Sequence, residues 1–185
     1  MEGEAAGVVW VLYTWELSGL DTSVPTPVGY RFRAALGVET DAVVRVVMAA
    51  YASDPAWRGL LEGIRIRMTE RIQSTIGTPN SRYLVAECKG NIVAVSGVSK
   101  NHWFGQNFLT GICVAPEHQQ RGLGKYLLAL SLLGLREMGL ETAKVYTEAG
   151  SLADSKIYPL FGSSREEGVE YPGWRTPAHE GERPQ

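Results

Sequence analysis

At 185 residues, with 44% hydrophobic and 21% charged side chains, the chain has the length and composition of one soluble globular domain. A formal net charge of −2 supplies no basic surface to neutralise phosphates, which sets nucleic acid aside as a partner. No apolar run approaches the roughly 18 residues of a membrane span, and Glu2 and Glu4 stand where a signal peptide would be basic, so the expected place is the cytoplasm, away from any membrane.

Residues 8–17, rich in valine, tryptophan and tyrosine, predict a strand. Pro25 and Pro27 mark a turn or linker over 19–29 before another strand at 30–35. Residues 1–29 are therefore read as an N-terminal strand-and-linker extension, 30–174 as the main domain and 175–185 as a flexible polar tail. From Thr40, the residues Val43, Val46, Val47, Ala50 and Tyr51 recur at helical spacing, with Asp41 in the first turn where it suits the helix dipole. Ser53-Asp54-Pro55 signals a second start, and Trp57, Leu60, Leu61, Ile64 and Met68 carry that helix to about Ser74. Its Arg58, Arg65 and Arg67 form a solvated face, from which Arg65 or Arg67 could meet an acidic substrate.

Strand-like runs at 82–88 and 92–98, separated by Lys89-Gly90-Asn91, predict a hairpin. A loop over 101–107 leads to a strand at 108–114, ended by Pro116 because proline has no ladder donor. Cys88 and Cys113 fall inside strands without metal-site or disulfide spacing, so both are expected as buried free thiols and no metal is implied.

The segment from Ile112 to Lys125 then runs strand, loop, helix, and the leucine-rich helix continues to about Met138. The first amides of a helix have no internal partner and the dipole is positive there, so a pyrophosphate can be held by the backbone of 119–124. Gly122 and Gly124 allow close approach, while Arg121 and Lys125 add charge. A P-loop would need glycine where Gln119 stands and Ser or Thr where Tyr126 stands; a dinucleotide fingerprint would need a small residue at Leu127.

What does fit is Val114, Pro116, Gln119, Gly122 and Gly124 in the pattern Val-x-Pro-x-x-Gln-x-x-Gly-x-Gly. This resembles the coenzyme-A signature of the GNAT N-acetyltransferase superfamily, and the order of elements over 30–162 is similar to that family's. The resemblance implies an α/β (α+β) fold with a mixed, largely antiparallel central sheet flanked by helices, in which strands 108–114 and 144–147 run parallel in one sheet. It implies acetyl-CoA as co-substrate, with the pantetheine arm against the backbone of Ile112, Cys113 and Val114. The pyrophosphate would lie on the loop formed by Gln119, Gln120, Arg121, Gly122, Leu123, Gly124 and Lys125. Ser151 stands where the family often has an asparagine against pantetheine, and Tyr158 where it often places a general acid. A tyrosine near its solution pKa of about 10 is matched to a leaving thiol of about 8.5.

The signature strand carries no Asp or Glu within 108–114, where many members of that family draw their general base, so Glu148, at the end of the next strand, and Glu87 are the substitutes. The implied activity is acetyl transfer to a primary amine of a small molecule or peptide; the alternative is a non-catalytic acyl-CoA sensor. Leu123, Leu127, Leu128, Leu130, Leu132, Leu133 and Leu135 cover more than one helical stripe, so the linker or a second subunit must cover the outer face, and a homodimer is the expected partner arrangement.

Overall fold

A computed structural model of the chain describes residues 7–174, so the polar tail and the first six residues of the extension lie outside the described residues. The first sheet grows from two hairpins. Strands β3 (Ser81–Cys88) and β4 (Asn91–Trp103) are joined by Lys89 and Gly90, both at positive φ (49° and 79°), the backbone a two-residue hairpin turn demands. The expected loop at 101–107 is instead a second turn of the same kind: Phe104 and Gly105 take positive φ, and β4 folds back into β5 (Gln106–Val114). Strand β2 (Arg31–Ala34) completes an antiparallel sheet in the order β2-β3-β4-β5.

Helix α1 (Thr40–Ser53) packs Val43, Val46 and Val47 against Tyr83, Val85, Val95 and Leu109 on one face of that sheet. The Ser53-Asp54-Pro55 start yields only a short 3-10 turn, Pro55–Trp57, because Arg58 is extended and Gly59 has φ 86°; α2 (Leu61–Thr75) begins after them. On the other face lies α3 (Leu123–Glu137), whose Leu128, Leu132 and Leu135 pack with Phe108 and Val98. Its outer side meets the 19–29 linker: Arg136 Nη1 donates to the Leu20 carbonyl at 2.9 Å, and Thr26 Oγ1 to the Tyr126 hydroxyl at 3.2 Å.

The N-terminal strand is no surface appendage. β1 (Trp10–Glu16) lies between β6 (Thr142–Glu148) and β7 (Ser164–Val169) in a second antiparallel sheet, with Trp10 opposite Glu148 and Glu16 opposite Thr142. Strands β5 and β6, expected side by side in one sheet, stand in separate sheets. The reason is local: the amides of Lys144 and Tyr146 donate to the side-chain carbonyls of Asn107 and Gln106, both at 3.0 Å, in place of a ladder. Beyond that point Gly111, at φ 72°, shifts the register of β5 against β4 and the two sheets part.

One buried carboxylate binds the second sheet to the short helix α4 (Leu152–Lys156). Asp154 accepts from the Tyr13 hydroxyl (2.6 Å), Arg165 Nε (2.8 Å), Arg165 Nη2 (3.0 Å) and the Gly150 amide (2.9 Å). The Arg165 guanidinium first, then these other donors, hold its pKa down to about 2 from an ordinary 3.8. Because the folded value lies below the unfolded one, this stability is complete above about pH 4 and is lost as pH falls toward 2. Unfolding free energies from urea titrations at pH 5 and pH 2.5 should differ by an Asp154-dependent part of about 1–2 kcal/mol, and Asp154→Asn should remove that part. A pH dependence identical in the variant would show that the carboxylate contributes nothing.

Candidate active site

Where the sheets part, a cavity of about 260 Å³ opens between β5, the loop 118–125, the end of β6 and α4. Ala115 N donates to Val93 O, and antiparallel ladders alternate, so Ile112 and Val114 turn their backbone groups away from β4 toward this space. Ile112, Cys113 and Val114 all line it, as do Gln119, Gln120, Gly122, Leu123, Gly124 and Lys125. Arg121 does not; its guanidinium is exposed beside the Tyr30 hydroxyl.

The loop is shaped before any ligand arrives. Gln119 uses its side chain as a brace, its Nε2 donating to Val114 O and Ser53 Oγ, both at 3.1 Å. Gln120 (φ 61°) and Gly122 (φ 82°) both hold left-handed backbone, costly for glutamine and free for glycine. No side chain caps α3, and its first internal bond runs from Tyr126 N to Gly122 O, so the amides of Leu123, Gly124 and Lys125 are the orphan donors of a 15-residue helix. Gly124 is needed for packing too: a Cβ there would lie 2.8 Å from Ile157 Cδ1. These features fit a pyrophosphate on the loop, with the rest of the carrier against the outward edge of β5.

Tyr158, just past α4, reaches back to β5 and its hydroxyl accepts from the Ile112 amide at 3.2 Å. No acceptor among the described residues takes its proton, which is left for the cavity. Burial pushes its pKa well above the ordinary value, against the smaller downward pull of the Ile112 amide, so the hydroxyl stays protonated at neutral pH. The same burial pushes up the Cys113 thiol, which keeps its proton and is no nucleophile despite facing the cavity. Cys88 is half-buried, and both cysteines are free.

Other sequence-predicted residues sit elsewhere. Ser151 is fully buried; its Oγ caps α4 by accepting from Asp154 N and pairs with Thr147 Oγ1, so it does not line the cavity. Glu87 is 2.9 Å from Arg33 Nε, an ion pair on the first sheet. Arg65 pairs with Glu62 on an exposed face. Glu148 lies just outside the cavity wall, its Oε2 buried without a hydrogen-bond partner, and burial followed by the nearby Asp54 charge raises its pKa above the usual carboxylate value. Asp54 itself lines the cavity. It reads locally as a helix-start signal, and its Oδ1 does accept from Ala56 N, but Oδ2 accepts from Leu152 N at 2.8 Å, which no local pattern reveals.

A second, smaller cavity of about 40 Å³ lies across Gly111, between α2 and the start of β5. Tyr51, Trp57, Gly111 and Tyr146 line both spaces, so the two are neighbours, and Gly111 lies beside the Tyr158 hydroxyl.

The model of the acetyltransferase (GNAT) family matches residues 42–158. A mycothiol acetyltransferase from Actinosynnema mirum is 29% identical over 168 residues, covering 85% of this chain and 52% of that protein. The chain thus spans about half the length of this curated relative. Among solved structures, a Drosophila protein has a TM-score of 0.60 at 16% identity, over 86% of this chain and 49% of that one. A GCN5-related N-acetyltransferase from Kribbella flavida has a TM-score of 0.53 at 15% identity, over 86% and 57%. At these identities the two structures speak to the fold alone.

Proposed function

The chain belongs to the acetyltransferase (GNAT) family, and from that premise we propose that it moves an acetyl group from acetyl-CoA directly to an amine, with Tyr158 as general acid. The observation that carries this reading is the convergence on one cavity of the uncapped α3 amides, the outward edge of β5 and the proton of Tyr158. Direct transfer is favoured over a covalent enzyme intermediate because Cys113 is held as a thiol.

In this reading the amine nitrogen forms the new C–N bond as the thioester C–S bond breaks, and holding both partners in place supplies much of the rate. The upward shift of Tyr158 makes complete proton transfer to a thiolate less favourable than for an ordinary tyrosine. Its main effect is then a hydrogen bond to the sulfur as charge develops there, completed by proton delivery as the thiolate departs. Glu148 Oε2 is buried and unpartnered outside the cavity wall, so as general base Glu148 would take the proton of the ammonium through a bridging water.

The test is thiol release from acetyl-CoA against polyamines, aminoglycosides, amino acids and peptide N-termini. One class should react, and the acid limb of its kcat/KM should lie above the usual carboxylate range, because a raised Glu148 pKa leaves the base protonated at higher pH. Glu148→Gln should remove that limb and lower the rate by about 10²-fold. Acetyl-CoA binding without thiol release toward any acceptor would instead support the sensor reading. The absence of a carboxylate from β5 and the position of Glu148 outside the cavity wall favour that alternative.

A further inference from the structure

Arg71, on the inner side of α2, is only 4% exposed, and no ion pair among the described residues involves it. Nη1 donates to the Leu109 carbonyl at 2.9 Å and Nη2 to the Tyr171 hydroxyl at 3.4 Å, while the guanidinium lies 5.9 Å from the Trp103 ring centre. Its Nε is buried with no hydrogen-bond partner. A buried guanidinium without a counter-charge is costly, and neutral acceptors and an aromatic face offset only part of that cost.

The unsatisfied cation lines the smaller cavity, together with Trp10, Trp57, Tyr146 and Tyr171. Tyr171 is also short of a partner. Its oxygen accepts from Gln106 Nε2 at 2.6 Å and from Arg71, which uses both lone pairs and leaves its own O–H to be donated. Arg71 and Tyr171 thus line one small space together with Arg67 and the aromatic rings. At about 40 Å³ that space has room for a group the size of a carboxylate or a few waters. Tyr51, Trp57, Gly111 and Tyr146 line it and the larger cavity alike, so the two spaces are neighbours.

We infer that the acceptor carries a carboxylate as well as the reacting amine, and that Arg71 and Tyr171 hold this carboxylate in the smaller cavity. The inference rests on the acetyl transfer proposed above and names its acceptor class: amino acids rather than simple amines or polyamines. Binding supplies the missing counter-charge, gives the Tyr171 O–H an acceptor and holds the amine on the side of Gly111 that faces the larger cavity.

The experiment compares kcat/KM for the common amino acids and their carboxamides, corrected for the fraction of free amine, in the wild type, Arg71→Gln and Tyr171→Phe. The wild type should prefer the acid of at least one pair by tenfold or more. Arg71→Gln should collapse that ratio through KM, and Tyr171→Phe, which leaves the cation in place, should reduce it in part. Equal use of acids and amides by the wild type, or a ratio unchanged in both folded variants, overturns the inference and leaves acetyl transfer standing. If no acceptor releases thiol, acetyl transfer fails, and the inference is judged by calorimetry of the same pairs with acetyl-CoA-saturated protein. Carboxylate-selective binding weakened in Arg71→Gln or Tyr171→Phe supports it, and its absence overturns it.

Discussion

Replacing Gly124 by glutamate is expected to weaken acetyl-CoA binding by at least 100-fold, about 3 kcal/mol. Two effects act together. The new Cβ would lie 2.8 Å from Ile157 Cδ1 and 3.7 Å from Ile112 Cγ2, so the end of the Ile157 side chain must turn aside, and the rest of the glutamate side chain needs further space. The carboxylate also brings a negative charge to the uncapped start of α3, where the pyrophosphate needs positive potential. Gly124→Ala separates the effects: it carries the steric part alone and should fall between the wild type and the glutamate variant. Calorimetric titration with acetyl-CoA, on protein shown folded by circular dichroism, gives the answer. Wild-type affinity in Gly124→Glu would remove the loop from the binding site.

Tyr158→Phe is expected to lower kcat by about 10²-fold or more while leaving acetyl-CoA affinity nearly unchanged. The substitution keeps the ring against Tyr13, Trp15 and Phe108 and removes only the hydroxyl. That oxygen is also the acceptor for the Ile112 amide, so the variant should lose about 1–3 kcal/mol of stability for the unpaired donor. The two consequences are read independently, one by steady-state kinetics and one by denaturant midpoints. A loss of stability with an unaltered rate would return Tyr158 to the core. A loss of rate at unchanged affinity would establish its part in the chemistry.

The strand, loop and helix start over 114–125 were readable from sequence because their requirements are local: an end to a strand, glycines at a crowded helix start, and a long helix behind them. The Lys89-Gly90 turn was readable for the same reason. The turn at Phe104-Gly105 was not, because phenylalanine is an uncommon occupant of left-handed backbone and the flanking residues carry no turn signal. β7 escaped notice because Ser164 to Val169 is charged and exposed, with a low propensity for strands. The place of β1, the reach of Asp54 to Leu152 and the lone charge of Arg71 escaped for another reason. Each is a relation between distant segments, visible only when the chain has folded. Ser151 shows the converse, since a position aligned by motif has a neighbour, Thr147, that turns its hydroxyl into the core.

The location of β1 also bears on how the molecule assembles. Its two neighbours in the sheet come from late in the chain, and its Tyr13 hydroxyl bonds a carboxylate 141 residues away. On the ribosome, therefore, the stretch Trp-Val-Leu-Tyr-Thr-Trp-Glu emerges long before either partner and must wait with its aromatic rings unsheltered. The α1, α2 and hairpin half can fold meanwhile from nearer contacts, whereas the half bearing Tyr158 closes only after β7 is made. The Tyr158 side of the cavity is thus the last part to form, and the waiting strand is the segment that a holding chaperone would be expected to recognise.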